Sequence, residues 1–332
     1  ITMHMKCLQQ SAMQNVYITI INASGTRWLI VPWQQISPGV ILQNSTKNYT
    51  KECKNRLKEN DRKNMKISDI LVEKTPHLSF EVFPPKKDDE FTNAQNVLHQ
   101  LSELQPDFIS VTYGAGGSRS KRTVELASFI QNSLHIPAVA HMTCVGSSKE
   151  DILAVTDDMK QAGLSHVLAL RGDRPTWMDD AQFENRAFAH ASDLTRFLKE
   201  HTDLEIAGAC YPEKHFEAES LDTDIAYLKE KQEAGAAFFI TQLFFENDSF
   251  YRFLEKKNHA GITLPVCAGI MPITSAKQLG TTVTLSGSSV PKELADIIAT
   301  YGENPEDMRK AGIDYAIRQI LDLKQHGVDG IH

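Results

Sequence analysis

From Leu78 onward the chain alternates short apolar runs with longer amphipathic stretches, and this alternation restricts the possible fold more than any other feature. Short apolar runs are typical of buried strands, whereas apolar residues three and four positions apart are typical of helices with one buried face. The pattern therefore predicts a repeated strand–helix unit with parallel strands. The predicted strands are residues 78–83, 108–113, 138–143, 166–170, 205–210, 238–245 and 264–270.

A repeated strand–helix unit can form an open doubly wound sheet or a closed (β/α)8 barrel. The even repeat and the length of 332 residues favour the barrel. The GxGxxG motif of an open dinucleotide-binding sheet does not follow the first predicted strand, and GAGG at 114–117 follows the second instead. We therefore predict an α/β fold of the (β/α)8 TIM-barrel type. An eighth strand is expected near Val328, where few residues remain, so the last strand and helix are expected to be truncated.

Residues 1–64 differ from the rest of the chain in charge. They contain nine Lys and Arg against three Asp and Glu, a net charge of +6, whereas residues 65–332 have a net charge of −13. A basic arm can bind nucleic acid, but these residues show no helix or strand period, and MKIS at 65–68 resembles a natural start. We expect an N-terminal extension that is disordered or not native, a catalytic barrel over 65–332, and no nucleic-acid partner.

Cysteine usage and hydropathy limit the class of protein further. The five cysteines are scattered without a CxxC pair, which indicates neither a disulfide framework nor a zinc site and fits a reducing cytoplasm. No apolar run approaches the ~20 residues of a membrane span. Histidines and carboxylates are too dispersed for a metal site. We expect a cytoplasmic protein without metal or membrane partner, and the sequence is compatible with a homo-oligomer.

Polar residues cluster at the carboxyl ends of the predicted strands, where the active sites of barrel enzymes lie. A single such residue means little, and a lone His141 is more often a satisfied core histidine than a ligand. The phenylalanines of 238–245 are interpreted mainly as packing, although one facing the lumen would suit a flat-ring ligand. Five or six strands ending in polar residues together predict a site, and these residues are Thr112, Tyr113, His141, Arg171, Asp173, Tyr211 and Gln242.

Glu81 lies between apolar Phe80 and Val82 in the first predicted strand. Strand alternation sends the two apolar side chains toward the helices and Glu81 into the lumen. A carboxyl group in an apolar lumen resists ionisation, so we expect a raised pKa and a role as proton donor. The alternative is a lumenal salt bridge, for example with Arg171. Spacing alone favours neither.

The strand ends resemble those of methylenetetrahydrofolate reductases of the short bacterial type. The resemblance covers about 65–332, and seven motifs occur in the family's order. They are SFEVFPP (79–85), SVTYGA (110–115), HMTC (141–144), LALRGD (168–173), YPEKH (211–215), ITQLFF (240–245) and GIMP (269–272).

This resemblance implies an enzyme that reduces 5,10-methylenetetrahydrofolate to 5-methyltetrahydrofolate, which feeds methionine synthesis. NADH or NADPH would reduce a bound FAD, leave, and be replaced by the folate substrate, and the short type favours NADH. The chain matches the family's flavin-contacting positions at Thr112, Tyr113, Ala115, His141, Arg171, Gly172, Asp173, Ala191, Ala209, Tyr211, His215, Asp224 and Lys231.

The resemblance also implies roles for individual residues. Glu81 matches the general acid that helps to open the substrate's five-membered ring, and Asp173 would tune the reduced flavin. Gln242 and Gln278 match folate-contacting glutamines. The chain departs from the family in the RPTW loop at 174–177 and at Glu230, where many members have a basic residue. The family also continues past the last strand to an arginine that helps to hold the substrate.

Two alternatives remain at this point. Another flavin barrel, such as a proline dehydrogenase-like oxidase, would share the architecture but not the substrate, and a folate assay against a proline assay separates them. A truncated, inactive barrel that serves as a binding protein would account for a missing final strand. A flavin absorption spectrum after purification would count against that second alternative.

Overall fold

The computed structural model describes residues 17–18, 31–32, 65–72, 76–85, 87, 90–113 and 118–332. Eight parallel strands close into a barrel in the order of the sequence, and the last strand pairs with the first. The predicted TIM-barrel fold is therefore confirmed. The strands are β1 (His77–Val82), β2 (Phe108–Val111), β3 (Ala138–Thr143), β4 (His166–Leu170), β5 (Glu205–Cys210), β6 (Phe238–Thr241), β7 (Val266–Ala268) and β8 (Gly330–Ile331).

Helices follow the strands and cover the outside of the barrel. Gly163 and Gly235 come just after two of them with φ of 74° and 111°, the left-handed conformation that favours glycine, which confirms the predicted helix ends. The helices are α1 (Ile67–Leu71), α2 (Phe91–Ser102), α3 (Ser118–Ser133), α4 (Lys149–Gln161), α5 (Asp180–Glu184), α6 (Ala191–His201), α7 (Leu221–Glu233), α8 (Asn247–His259), α9 (Ala276–Ser286), α10 (Lys292–Tyr301) and α11 (Pro305–Gln325).

Strand alternation divides the apolar residues into two layers. Phe80, with Leu98 and Leu101 of α2, belongs to the large cluster between the strands and the helices. A second cluster fills the lower lumen, where Phe108 and Phe238 meet Ile67 of α1. Helix α1 therefore closes the amino-terminal end of the barrel, and the carboxyl ends of the strands face the open end.

The barrel closes through β8, although this strand has only two residues. Gly330 pairs with His77 of β1 and with Cys267 of β7, so the strand that was expected to be truncated is short but still closes the barrel. A Cβ atom at Gly330 would lie 2.9 Å from Cys267 Sγ. This contact is too short for a side chain, so glycine fits at the first position of β8. A strand this short has no period to read, but its backbone pairs on both sides.

The apolar run at 238–245 extends beyond β6, which ends at Thr241, because its later residues pack in apolar clusters outside the sheet. Phe244 joins the cluster beneath the helices, and Phe245 joins a separate cluster with Ile273, Leu294 and Met308. These phenylalanines are buried packing residues, as their pattern mainly indicated.

In residues 1–64 the structure describes two short segments, Tyr17–Ile18 and Val31–Pro32, which pair antiparallel. The rest of the predicted extension lies outside the described residues, so its independence from the barrel stays a prediction. Among the described helices, none combines the length and the apolar character needed to cross a membrane.

Candidate active site

A cavity of about 1240 Å³ opens at the carboxyl ends of the strands. Six successive strand ends contribute polar side chains to its wall, as the sequence pattern predicts. The predicted residues that line it are Glu81, Thr112, Tyr113, His141, Arg171, Gly172, Asp173, Ala191, Ala209, Tyr211, His215, Asp224, Lys231 and Gln242.

Two predicted site residues stand apart from this group. Ala115 lies outside the described residues. Gln278 belongs to α9, and its side chain fastens the preceding loop: Oε1 accepts hydrogen bonds from the amide and hydroxyl of Thr274 at 2.9 and 2.8 Å, and Nε2 donates to the Pro272 carbonyl at 3.2 Å. The amide of Gln278 thus shapes a loop rather than the cavity wall described here.

Glu81 projects from β1 into the lumen, as strand alternation predicts. Its carboxylate Oε2 lies 3.5 Å from His141 Nε2 and 3.8 Å from His332 Nε2. The side chain is 36% exposed, toward the cavity, whereas the two imidazoles are 7% and 5% exposed. Glu81 therefore sits between buried imidazoles and the open cavity. The suggested partnership with Arg171 is wrong.

The predicted rise in the Glu81 pKa is also wrong. Burial does act to raise this pKa, and it is the largest single influence. It is outweighed by the nearby imidazoles of His332 and His141 and by the hydroxyl of Ser110, which favour the ionised carboxylate. The pKa of Glu81 is consequently lowered, and the carboxyl group is ionised at neutral pH.

His141 presents an unsatisfied polar atom to the site. Among the described residues, its Nε2 is one of the buried side-chain atoms without a hydrogen-bond partner. Burial lowers the pKa of His141, although the Glu81 charge opposes that shift and the His332 charge adds to it. The imidazole is therefore neutral at neutral pH and can exchange a hydrogen bond with a group in the cavity.

Arg171 is paired with Glu217 on the opposite side of the cavity. The guanidinium donates to both carboxylate oxygens, with Nη2 to Oε1 at 2.8 Å, and this hydrogen bond is the main cause of the lowered pKa of Glu217. Gly172 follows with φ of 85°, and a Cβ there would lie 3.0 Å from Thr143 Cβ. Glycine lets the backbone turn directly from Arg171 to the exposed Asp173.

A second polar group lines the cavity beside β5. Asp224 Oδ2 accepts the backbone N–H of His215 at 2.8 Å, and Lys231 Nζ donates to the Ala209 carbonyl at 2.7 Å. Burial raises the pKa of Asp224 and lowers that of Lys231. The ring of Tyr211 meets His215 edge-on at 4.8 Å between centroids. This wall offers cationic and hydroxyl donors to an anionic ligand.

Sequence reasoning missed several residues in or beside the cavity, among them Glu217, Trp177 and His332. Glu217 is the true partner of Arg171, and Trp177, 67% exposed, lines the cavity from the RPTW loop. His332 was missed because its strand was expected to be incomplete. Its position in the sequence could have identified it, because His332, like His141, is a histidine at the carboxyl end of a strand.

Comparisons with known proteins agree with this geometry. Residues 66–332 match the family model described as methylenetetrahydrofolate reductase. The chain is 34% identical over 256 residues to the 5,10-methylenetetrahydrofolate reductase of Pectobacterium carotovorum subsp. carotovorum, covering 77% of this chain and 84% of that protein. It is 32% identical to the Escherichia coli (strain K12) protein of the same name, with the same coverage. It is 33% identical to methylenetetrahydrofolate reductase (NADH) 1 of Arabidopsis thaliana, covering 80% of this chain and 47% of that protein.

Proposed function

This chain belongs to the methylenetetrahydrofolate reductase family, and we propose that it reduces 5,10-methylenetetrahydrofolate to 5-methyltetrahydrofolate with electrons from NADH or NADPH carried by bound FAD. The observation that carries this proposal is the convergence of the predicted side chains on one cavity, with a carboxyl group at its floor. The product would feed methionine synthesis.

The residues present fit a flavin dinucleotide. The cavity of about 1240 Å³ exceeds what one small ligand needs, and it is lined by His141, whose buried Nε2 has no hydrogen-bond partner among the described residues. Lys231 and the amino terminus of α6 at Ala191 supply positive potential for phosphates. When bound, FAD supplies the hydride chemistry, accepting hydride from the nicotinamide and giving it to the folate.

Glu81 is proposed as the general acid for the folate step. Opening the five-membered ring breaks a carbon–nitrogen bond, and the departing nitrogen needs a proton as the iminium forms. Without ligand the carboxyl group is ionised, because its pKa is lowered. A flat ligand across the cavity would exclude water from Glu81, which favours the neutral form. The proton must nonetheless reach Glu81 before the step.

Asp173 and Gln242 are proposed to act on the bound rings. Asp173 places a negative charge at the cavity wall, where it would disfavour the anionic reduced flavin. Gln242 Oε1 accepts the backbone N–H of Leu243 at 2.9 Å, which orients its amide for hydrogen bonding to a pterin. The plant relative's name supports NADH as the preferred reductant.

The test follows the two half-reactions separately. Purified protein should show a flavin absorption spectrum, which NADH bleaches anaerobically and 5,10-methylenetetrahydrofolate restores with release of 5-methyltetrahydrofolate. NADPH in place of NADH measures the cofactor preference, and proline is the control substrate for a proline dehydrogenase-like activity. Flavin that proline reduces and methylenetetrahydrofolate fails to reoxidise would refute the proposal.

A further inference from the structure

His332 is the most extensively held side chain beside Glu81, although it follows the shortest strand of the barrel. Its Nδ1 lies 2.7 Å from Ser79 Oγ, and its Nε2 lies 3.2 Å from Ser110 Oγ and 3.8 Å from Glu81 Oε2. Its ring stacks on Phe108, with centroids 5.6 Å apart and planes 17° apart. Strands β1 and β2 thus fix both the plane of the ring and the direction of its nitrogens.

The hydrogen-bond pattern assigns the two nitrogens of His332 to different tasks. The Ser79 hydroxyl donates its only hydrogen to the Ile331 carbonyl at 3.3 Å, so its oxygen accepts the Nδ1–H of His332. Nε2 is then the nitrogen that is not committed to Ser79, and it lies 3.8 Å from Glu81 Oε2. Nε2 and Oε2 are too far apart to share a proton directly, but the Ser110 hydroxyl, 3.2 Å from Nε2, can relay a proton between them.

His141 is less suited to this task, although its Nε2 lies nearer to Glu81 at 3.5 Å. Burial lowers the pKa of His141, which keeps this imidazole neutral, and its Nε2 has no hydrogen-bond partner among the described residues. The titratable groups around Glu81 are thus His141 from β3 and His332 after β8. Of the two, His332 is the one anchored by hydroxyl groups on neighbouring strands.

We propose that His332 is a positioning residue for Glu81, which fixes the carboxyl group at the cavity floor and holds in reserve the proton that Glu81 delivers. The proposal rests on the function proposed above, with Glu81 as the general acid. It gives the closing strand a second purpose, because β8 completes the barrel and also carries the side chain that controls the acid.

The proton transfer is balanced without any further reactant. The proton on His332 Nε2 first moves to Oε2 of the ionised Glu81 through the Ser110 hydroxyl and leaves a neutral imidazole. Glu81 then gives that proton to the departing nitrogen of the substrate and becomes a carboxylate again. Solvent restores that proton between turnovers, and no electrons move in this exchange.

Two substitutions separate holding the carboxyl group from supplying its proton. In His332→Asn the amide can still reach Ser79, but no atom takes the place of Nε2. In His332→Gln the amide reaches the Nε2 position and can hold Glu81, but it cannot titrate. His166→Gln is the matched control, because His166 is a buried histidine at the opposite end of the barrel. Circular dichroism and the thermal midpoint confirm folding of each variant.

The first readout is the pH dependence of the folate half-reaction, followed by flavin absorbance in stopped flow. The second is the ionisation of Glu81 in the ligand-free protein, followed by the infrared carboxyl band that Glu81→Gln abolishes. In the wild type, the rate of the folate half-reaction should remain high at pH values above the midpoint for ionisation of the Glu81 carboxyl group. In His332→Asn that midpoint should rise, because a group that stabilises the ionised form is gone, and the rate should fall at the same midpoint.

At pH 8 the folate half-reaction of His332→Asn should be roughly 10-fold or more slower, within the range of general acid–base effects. The nicotinamide half-reaction should stay close to wild type, as should the His166→Gln pH profile. His332→Gln should keep the folate KM but share the altered pH profile. A wild-type pH profile in both His332 variants would overturn the proposal. A wild-type rate and pH profile in His332→Gln alone would overturn the claim that His332 supplies the proton.

The two proposals fail in distinguishable ways. If methylenetetrahydrofolate does not reoxidise the wild-type flavin, the proposed function fails. The infrared titration still tests whether His332 controls Glu81 in that case. An unchanged carboxyl midpoint in His332→Asn would refute the coupling whatever the substrate proves to be.

Discussion

Two carboxylate–imidazole pairs stand at opposite ends of the same barrel, and they differ in how completely the chain satisfies them. At the amino-terminal end, Glu205 accepts the backbone N–H groups of Ile67 and Ser68 at 2.6 and 3.2 Å and the Ser68 hydroxyl at 2.5 Å. Its partner His166 lies 3.6 Å away and contacts the Met65 carbonyl at 3.0 Å. Both side chains are nearly inaccessible to solvent.

The pair at the carboxyl end is left incomplete. Glu81 is partly exposed to the cavity, and Nε2 of His141 has no hydrogen-bond partner among the described residues. The same two residue types thus serve different ends. At the amino-terminal end the residues of helix α1 satisfy the hydrogen-bonding groups of the pair, which fastens this helix to the barrel. At the carboxyl end no helix does so, and Glu81 faces the open cavity. This agrees with the general division of TIM barrels into a stabilising and a catalytic face.

Glu81→Gln should produce the largest effect on activity. The substitution preserves size and removes the ionisable proton, so the folate half-reaction should fall by ~10²–10⁴-fold. Flavin reduction by the nicotinamide requires no proton from this side chain and should stay close to normal. Stopped-flow flavin absorbance measures both halves. Equal slowing of both would make Glu81 structural and remove the contrast between the two ends.

Glu205→Ala should produce the largest effect on stability. It leaves the N–H groups of Ile67 and Ser68 and the Ser68 hydroxyl without their acceptor, which should cost on the order of 3 kcal/mol. Denaturant unfolding measures this loss, with the exposed Glu255→Ala as control, expected within about 0.5 kcal/mol of wild type. The folate half-reaction of the folded variant should be unchanged; a loss comparable to that of Glu81→Gln would show that both ends serve catalysis.

Asp173→Asn should have a smaller effect, confined to the flavin. Removing one charge near the ring changes its interaction energy by about 1–2 kcal/mol at an effective dielectric constant of 20. The reduction potential should therefore rise by roughly 20–40 mV for the two-electron couple. Spectroelectrochemical titration measures the shift, and the isosteric change should leave the thermal midpoint in place. An unchanged potential would place Asp173 away from the flavin.

Deleting residues 1–64 should have the smallest effect. The buried plug begins at Ile67, so the thermal midpoint and the flavin content should stay nearly unchanged. Deletion of residues 1–71 is the matched comparison, because it also removes the buried side chains of Ile67, Ile70 and Leu71 and the hydrogen-bond partners of Glu205. Each such side chain contributes about 1.5–3 kcal/mol. A fall of several degrees in the first deletion would show that the extension packs on the barrel.

The repeating pattern was enough to predict the fold and most of the cavity. Strand alternation between Phe80 and Val82 placed Glu81 in the lumen. Because the carboxyl ends of parallel strands lie at the same end of a barrel, Thr112, Arg171 and Gln242 were placed around one cavity. These predictions succeed because the period of a strand and the direction of parallel strands are local properties of the chain. The roles of these residues came from the family resemblance and stay predictions.

The sequence by itself determined the order of strands and helices, the glycines that end two helices, and the face of β1 that carries Glu81. Only the tertiary structure decided that two residues suffice for β8, that Arg171 pairs with Glu217, and that the Glu81 pKa is lowered. Burial was foreseen, but the imidazole that offsets it comes from His332, about 250 positions away. Charge interactions depend on distance in space, which a local pattern does not encode.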